Sequence, residues 1–245
     1  MRLTDVLVRS VAVHGPSAWW HSTNQATLLV GPSAHRAHRL DAPVGIRLVR
    51  RPTGGGAVLV GPGVLGLDVA LPRTHPLLTG DVTEDYRWLG AVWATALTQL
   101  AIPARSIGID ESRSVAAVHR EYADVALACF GIPAPYEVVS GDRKLVGMSQ
   151  VRRSGGVLFS SAVHVDVSPC SVASALPLTT SRRKRLAHHL TRYAGSLADA
   201  SPQPVTPFDV RRAFRSSLLA LNGIKLRDGR WPQGPTVEEI LDPQP

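Results

Sequence analysis

An α+β fold, with helices packed against a mixed, mostly antiparallel sheet, follows from three observations on this chain of 245 residues. Short apolar runs closed by glycine or proline turns fill its first two thirds, and segments with helical periodicity fill the rest. Its 19 prolines and 21 glycines call for many turns, which suits a strand-rich body better than a helical bundle. Hydrophobic residues make up 44% of the chain and charged residues 19%, so a sizeable core forms and wholesale disorder is excluded.

The elements follow in order. QATLLV at 25–30 closes on Gly31-Pro32 and reads as a strand, and GIRLVR at 45–50 as a second. Past three consecutive glycines, AVLV and LGLDVALP predict a hairpin around Gly61-Pro62-Gly63 with one face buried. The period then changes. Asp81-Val82-Thr83-Glu84 resembles a capping box, and Tyr86, Leu89, Val92, Trp93, Ala96 and Leu97 recur at helical spacing before Pro103. Between 122 and 167, YEVV, KLVGMSQVRR and VLFSSAVHVDV are separated by Gly141-Asp142 and Gly155-Gly156, which predicts a three-stranded meander. Beyond Pro169, SVASAL, RKRLAHHLTRYAGSL and, after a proline-rich link at 202–207, FDVRRAFRSSLLALNGI read as helices. The tail from Arg230 is polar. Two units are expected: a catalytic-type domain over 1–170, and a helical segment over 171–245 packed on it or continuous with it.

The net charge of +8 suits acidic partners or phosphate-bearing ligands. The one dense basic run, Ser181-Arg182-Arg183-Lys184-Arg185, opens a helix without interleaved aromatics, so it reads as a solvated face and no nucleic acid is expected. Cys129 and Cys170 form neither a disulfide framework nor a zinc pair, and His188 and His189 have no carboxylate at ligand spacing, so no metal is expected. Asp5 and Arg9 interrupt the apolar N-terminus, so no signal peptide is expected there, and no apolar run approaches the roughly 18 residues of a membrane span. The expected setting is cytoplasmic.

Chemistry concentrates in three places. Arg50-Arg51-Pro52-Thr53-Gly54-Gly55-Gly56-Ala57-Val58 sets three glycines between two strands, where a ligand can approach backbone N–H groups and the arginines offer forked donors. Lys144-Leu145-Val146-Gly147-Met148-Ser149-Gln150 follows a tight turn; alone it is a strand with a lysine. Ala128-Cys129-Phe130 offers a thiol, although a free cysteine is more often a small buried residue than a nucleophile.

Together RRPTGGGAV and KLVGMSQ resemble the lipoate–protein ligase and octanoyltransferase superfamily, which shares the biotin/lipoate protein ligase catalytic-domain fold. The flanks LLVGPS, LGLDVALP and DVTEDYRWLGAVW agree, and the match runs from about 25 to 165. The GRGRxGR loop of biotin ligases is absent. The resemblance implies that Arg50, Arg51, Thr53, Gly54, Gly55, Gly56, Ala57 and Gly147 line an acyl and phosphate pocket, and that Lys144 holds the acyl carbonyl. It implies lipoate or octanoate as substrate, and lipoyl domains of 2-oxoacid dehydrogenases or the glycine cleavage H protein as acceptors. Three activities stay open. An ATP-dependent ligase, using ATP with Mg2+, is the first expectation, because the triple glycine ends in Gly56 where the cysteine-dependent branch more often has arginine. An octanoyltransferase, drawing on an acyl carrier protein and using Cys129 as a thioester nucleophile, is the second. A non-catalytic binder is the third, because the chain departs from the pattern in places. Val60 stands where the family has a histidine, Phe159-Ser160-Ser161 where it has His-Gly-Ser, and Gly31-Pro32-Ser33-Ala34 where it has Gly-x-Ser-Gln.

Overall fold

The computed structural model describes residues 8, 11, 15–31, 43–119 and 124–221. Its strands are β1 (Ser17–His21), β2 (Thr27–Val30), β3 (Arg47–Arg50), β4 (Val58–Val60), β5 (Val64–Pro72), β6 (Arg105–Ser106), β7 (Val138–Ser140), β8 (Arg143–Arg153) and β9 (Gly156–His164). The helices are α1 (Arg87–Gln99), α2 (Ile109–His119), α3 (Val172–Ala175), α4 (Thr180–Tyr193), α5 (Leu197–Ala200) and α6 (Pro207–Leu219). A large antiparallel sheet runs in the order β1-β5-β9-β8-β7-β6. A small sheet, β3-β2-β4, pairs β2 parallel to β3 and antiparallel to β4. The meander expected from the glycine turns is β7-β8-β9, and the fold is the α+β arrangement that the patterning predicts.

The central strands β5 and β9 pair from Val64↔His164 to Pro72↔Gly156 and are largely buried on both faces, which is why neither alternates cleanly between apolar and polar residues. One face is covered by α1 and α6. There Trp20, Trp93 and Phe214 meet with ring centroids 5.7, 5.4 and 4.7 Å apart, and Trp93 Nε1 donates to Ser161 Oγ at 3.0 Å, so the ring buries its one polar atom satisfied. A second apolar cluster joins Leu28, Val30 and Val58 of the small sheet to Val125, Phe130, Leu176, Leu186 and Leu190. Lys144 O accepts from Gly195 N at 3.0 Å, tying the end of α4 to β8.

Two expectations change. β4 and β5 are not a hairpin: β4 joins β2 in the small sheet, while β5 lies between β1 and β9. Gly61-Pro62-Gly63 hands the chain from one sheet to the other, because an apolar strand buried on both faces is better satisfied between two partners than folded on its neighbour. The helix opening is also modified. Asp81 Oδ1 accepts from Thr83 N at 2.7 Å and Glu84 N at 2.8 Å as the capping pattern implies, but a single 3-10 turn, Glu84–Tyr86, comes before α1. Pro32, Ser33, Ala34 and the tail from Arg230 lie outside the described residues. Among the described residues no helix is long and apolar enough to cross a membrane.

Asp85 locks this helix start to β8. It is fully buried, accepts from Thr79 N at 2.6 Å and Thr79 Oγ1 at 2.8 Å, and pairs with Arg152. Desolvation by burial opposes its charge, but the Thr79 hydrogen bonds and Arg152 outweigh it and hold the carboxyl below its usual range. Asp85→Ala is expected to lower stability by about 2–4 kcal/mol at neutral pH, read by chemical denaturation. A depressed folded value stabilises above the ordinary carboxylate value of 3.8 and is lost as pH falls through the folded one, so the gap to wild type closes in strong acid. A gap that stays constant down to strong acid would contradict this role.

Candidate active site

The glycine loop leaves β3 at Arg51, whose N donates to Val30 O at 3.0 Å. Gly55 has φ +95°, a left-handed conformation open to glycine at little cost. Gly56 is buried against the 126–127 backbone, where an added Cβ would lie 2.6 Å from Leu127 O. Ala57 N donates to Leu127 O at 2.6 Å, and Cys129 N donates to Ala57 O at 2.8 Å. Two stretches far apart in sequence are thereby stitched backbone to backbone, with the thiol at the seam.

The Arg51 guanidinium organises the seam. Nη1 donates to Thr53 Oγ1 at 2.7 Å and Ser149 Oγ at 3.0 Å; Nη2 donates to Gly56 O at 2.9 Å and lies 3.8 Å from Cys129 Sγ. Its Nε is buried without a partner among the described residues. A cation fixed beside a thiol can stabilise negative charge that develops there.

Lys144 sits behind the thiol. It is 2% exposed, and its ammonium pairs with Glu137, donates to Cys129 O at 2.7 Å and Ile132 O at 3.4 Å, and stands 5.3 Å from the Phe130 ring centroid. Glu137, also buried, accepts from Ala134 N and Met148 N, both at 2.6 Å. The pair therefore shapes the loop 129–137 that presents Cys129. His164 packs edge-on against Phe130, centroids 4.6 Å apart, and burial pulls it down to about 4, so it is neutral near pH 7.

In front of the thiol is a cavity of about 230 Å³. Arg51, Thr53, Cys129, Gly147 and Ser149 line it, with Leu29, Val58, Val60, Val64, Phe130 and Leu158 as apolar wall. His21 and Asp68 also line it, Nε2 to Oδ2 at 3.7 Å. Of the residues singled out from sequence, the fold gathers Arg51, Thr53, Cys129 and Gly147 at this wall. Gly56 and Ala57 are buried in the seam, Gly54 and Gly55 are exposed on the loop, and Arg50 is exposed at the end of β3, outside the cavity wall. Lys144 lies beneath Cys129 and outside that wall as well. Val60 and Ser160, two of the departures from the family pattern, stand on the cavity wall itself. Sequence reading missed His21, Asp68 and Ser149. Only the odd carboxylate in the apolar run LGLDVALP hinted at Asp68.

A thiol and a fixed guanidinium thus share the wall of a largely apolar cavity. The chain belongs to the lipoyl protein ligase A/B catalytic domain family, whose model matches residues 1–219. Similar relatives include the octanoyltransferase LipM of Kyrpidia tusciae, 33% identical over 200 residues that span 80% of this chain and 71% of the relative. The octanoyltransferase LipM of Moorella thermoacetica is 34% identical over 191 residues, 78% of this chain and 67% of the relative. The fold matches the bi-partite lipoate protein ligase of Thermoplasma acidophilum with a TM-score of 0.61 at 18% identity, over 87% of this chain and 76% of that one. A lipoate-protein ligase A bound with ATP matches with a TM-score of 0.57 at 19% identity, over 86% and 77%. The protein is thus an enzyme of the lipoate ligase and octanoyltransferase family.

Proposed function

We propose that this chain is an octanoyltransferase that moves a medium-chain acyl group, octanoyl in the first instance, from an acyl carrier protein to a lysine of a lipoyl domain through a thioester on Cys129. The observation that carries the reading is the position of Cys129 Sγ on the cavity wall, 3.8 Å from Arg51 Nη2. The relatives named octanoyltransferase, above 30% identity, support it. In the first half, Sγ attacks the carrier thioester, the carrier thiol leaves, and the cysteine proton passes to it. In the second, the acceptor amine attacks the Cys129 thioester, forms the amide and returns its proton to sulfur. Arg51 is placed to stabilise the oxyanion of both tetrahedral intermediates, and Lys144, through the Cys129 carbonyl, positions the nucleophile. The net charge of +8 suits acidic carriers and lipoyl domains, including those of 2-oxoacid dehydrogenases and the H protein.

The ATP-dependent ligase reading rested on Gly56. Its close approach to the Leu127 carbonyl accounts for the missing side chain without a nucleotide. The deciding experiment is intact-mass analysis of an apo lipoyl domain incubated with octanoyl-carrier protein alone, or with octanoate, ATP and magnesium. We expect modification in the first mixture and an acylated Cys129 on the enzyme. Modification only in the second would restore the ligase, and modification in neither would leave a non-catalytic binder.

A further inference from the structure

Tyr136 has φ +66°, in the left-handed region that a side chain with a ring enters only at a cost. Ala101 shares that region for a local reason. It ends α1, where Ala101 N donates to Thr98 O at 3.0 Å and Ile102 N to Leu97 O at 3.1 Å, the usual left-handed close of a helix. Tyr136 ends no helix. Glu137 N donates to Ala134 O at 3.1 Å, so Ala134-Pro135-Tyr136-Glu137 is a tight turn with proline second and positive φ third. That is the pattern of a type II turn, which ordinarily takes glycine where this chain has tyrosine.

The residue is pinned at its backbone and at its tip. Tyr136 N donates to Ile107 O at 2.8 Å, and Ser106 Oγ donates to Tyr136 O at 3.0 Å. Gly90 on α1 leaves room for the turn, since a Cβ there would lie 2.1 Å from Tyr136 O. The phenol donates to Glu84 Oε1 at 2.7 Å and accepts from Arg87 Nη2 at 2.9 Å, and those two side chains pair with each other at 2.6 Å. The start of α1 thus grips the third residue of the turn. The fourth, Glu137, is buried and holds Lys144 and Met148 N, and φ at residue 136 sets the direction in which Glu137 leaves the turn.

We propose that Tyr136 is a positioning residue for Cys129: its phenol, gripped by Glu84 and Arg87, keeps the turn left-handed, the turn aims Glu137 at Lys144, and Lys144 holds the Cys129 carbonyl. This rests on the reading of Cys129 as the nucleophile and adds a residue to its support.

The test uses Tyr136→Phe, which keeps the buried ring and leaves Glu84 and Arg87 paired beside water, so the thermal midpoint should stay close to that of wild type. Transfer from octanoyl-carrier protein should lose about tenfold in kcat while KM for the carrier holds, the mark of a misplaced nucleophile. Glu84→Ala should do the same. Glu84→Gln, whose amide oxygen still accepts from the phenol, should keep most of the rate. Alkylation of Cys129 by iodoacetamide, read by peptide mass, should quicken several-fold in Tyr136→Phe as the loop 129–137 loosens. Cys170, on the turn Pro169–Ser171, is the internal control and should not change. Equal transfer by variant and wild type, unchanged alkylation of Cys129, or both thiols quickened together with a fallen midpoint overturns the inference. A wild-type protein that transfers nothing, with Cys129 alone quickened in the variant, would sink the transferase reading and leave the positioning of the thiol standing. Transfer at one rate by both would do the reverse.

Discussion

Cys129→Ala is expected to reduce acyl transfer from carrier protein to lipoyl domain by at least about a thousandfold, the scale on which a covalent route loses its nucleophile. Among the described residues, the nearby hydroxyls of Thr53 and Ser149 are both occupied as acceptors for Arg51, so neither is a ready substitute. The contacts that build the seam are made by the Cys129 backbone, through N to Ala57 O and through O to Lys144 Nζ. The thermal midpoint of the variant should therefore stay close to that of wild type, which separates lost chemistry from lost fold. Intact-mass spectra should show no acyl adduct on the variant. Full transfer by Cys129→Ala, with the midpoint unchanged, would dismiss the thioester.

The second large effect is expected at the Lys144–Glu137 pair. Removing one partner leaves a buried charge uncompensated, which costs about 3–5 kcal/mol, so Lys144→Met and Glu137→Leu should each destabilise by that order in urea. The double variant replaces the pair with apolar groups and should recover much of the loss. It should still transfer slowly, because nothing then draws the Cys129 and Ile132 carbonyls inward and the loop 129–137 relaxes. A double variant with both stability and rate restored would make the pair packing only. Slow transfer rescued by Lys144→Arg would favour the positioning role.

The parts legible in sequence are those that local chemistry alone decides. The turns Gly141-Asp142 and Gly155-Gly156 announce β7-β8-β9, and the spacing of Leu89, Val92, Trp93, Ala96 and Leu97 announces α1. RRPTGGGAV was recognisable because close backbone approach demands glycine, as Gly56 against Leu127 O demonstrates. What stayed hidden depends on partners distant in the chain. β1 has only five residues and owes its place to β5. α2 keeps only Ser112 and His119 fully buried, so no apolar stripe reveals it. The separation of β4 from β5 depends on which sheet offers partners, and a turn sequence does not record that. In the site, Arg51 meets Ser149 across 98 positions, and His21 meets Asp68 only because β1 and β5 share an edge. Glu137 and Lys144 are near in sequence, but they meet where the register of β7 on β8 shifts between Val138 and Val139, which periodicity does not show.

The stitching of Cys129 at both its N–H and its carbonyl limits how the enzyme can work. With the backbone held from two sides, the sulfur keeps essentially one torsion, and on the thioester route proposed above an acyl group carried on it would pivot without travelling. The protein is then a fixed post rather than a swinging arm, and all the reach in the reaction belongs to its visitors. On that route a carrier would bring its thiol in to unload, and an acceptor would extend its lysine to the same spot to collect. Both would meet the acyl group at the one sulfur, so on that route delivery and collection alternate.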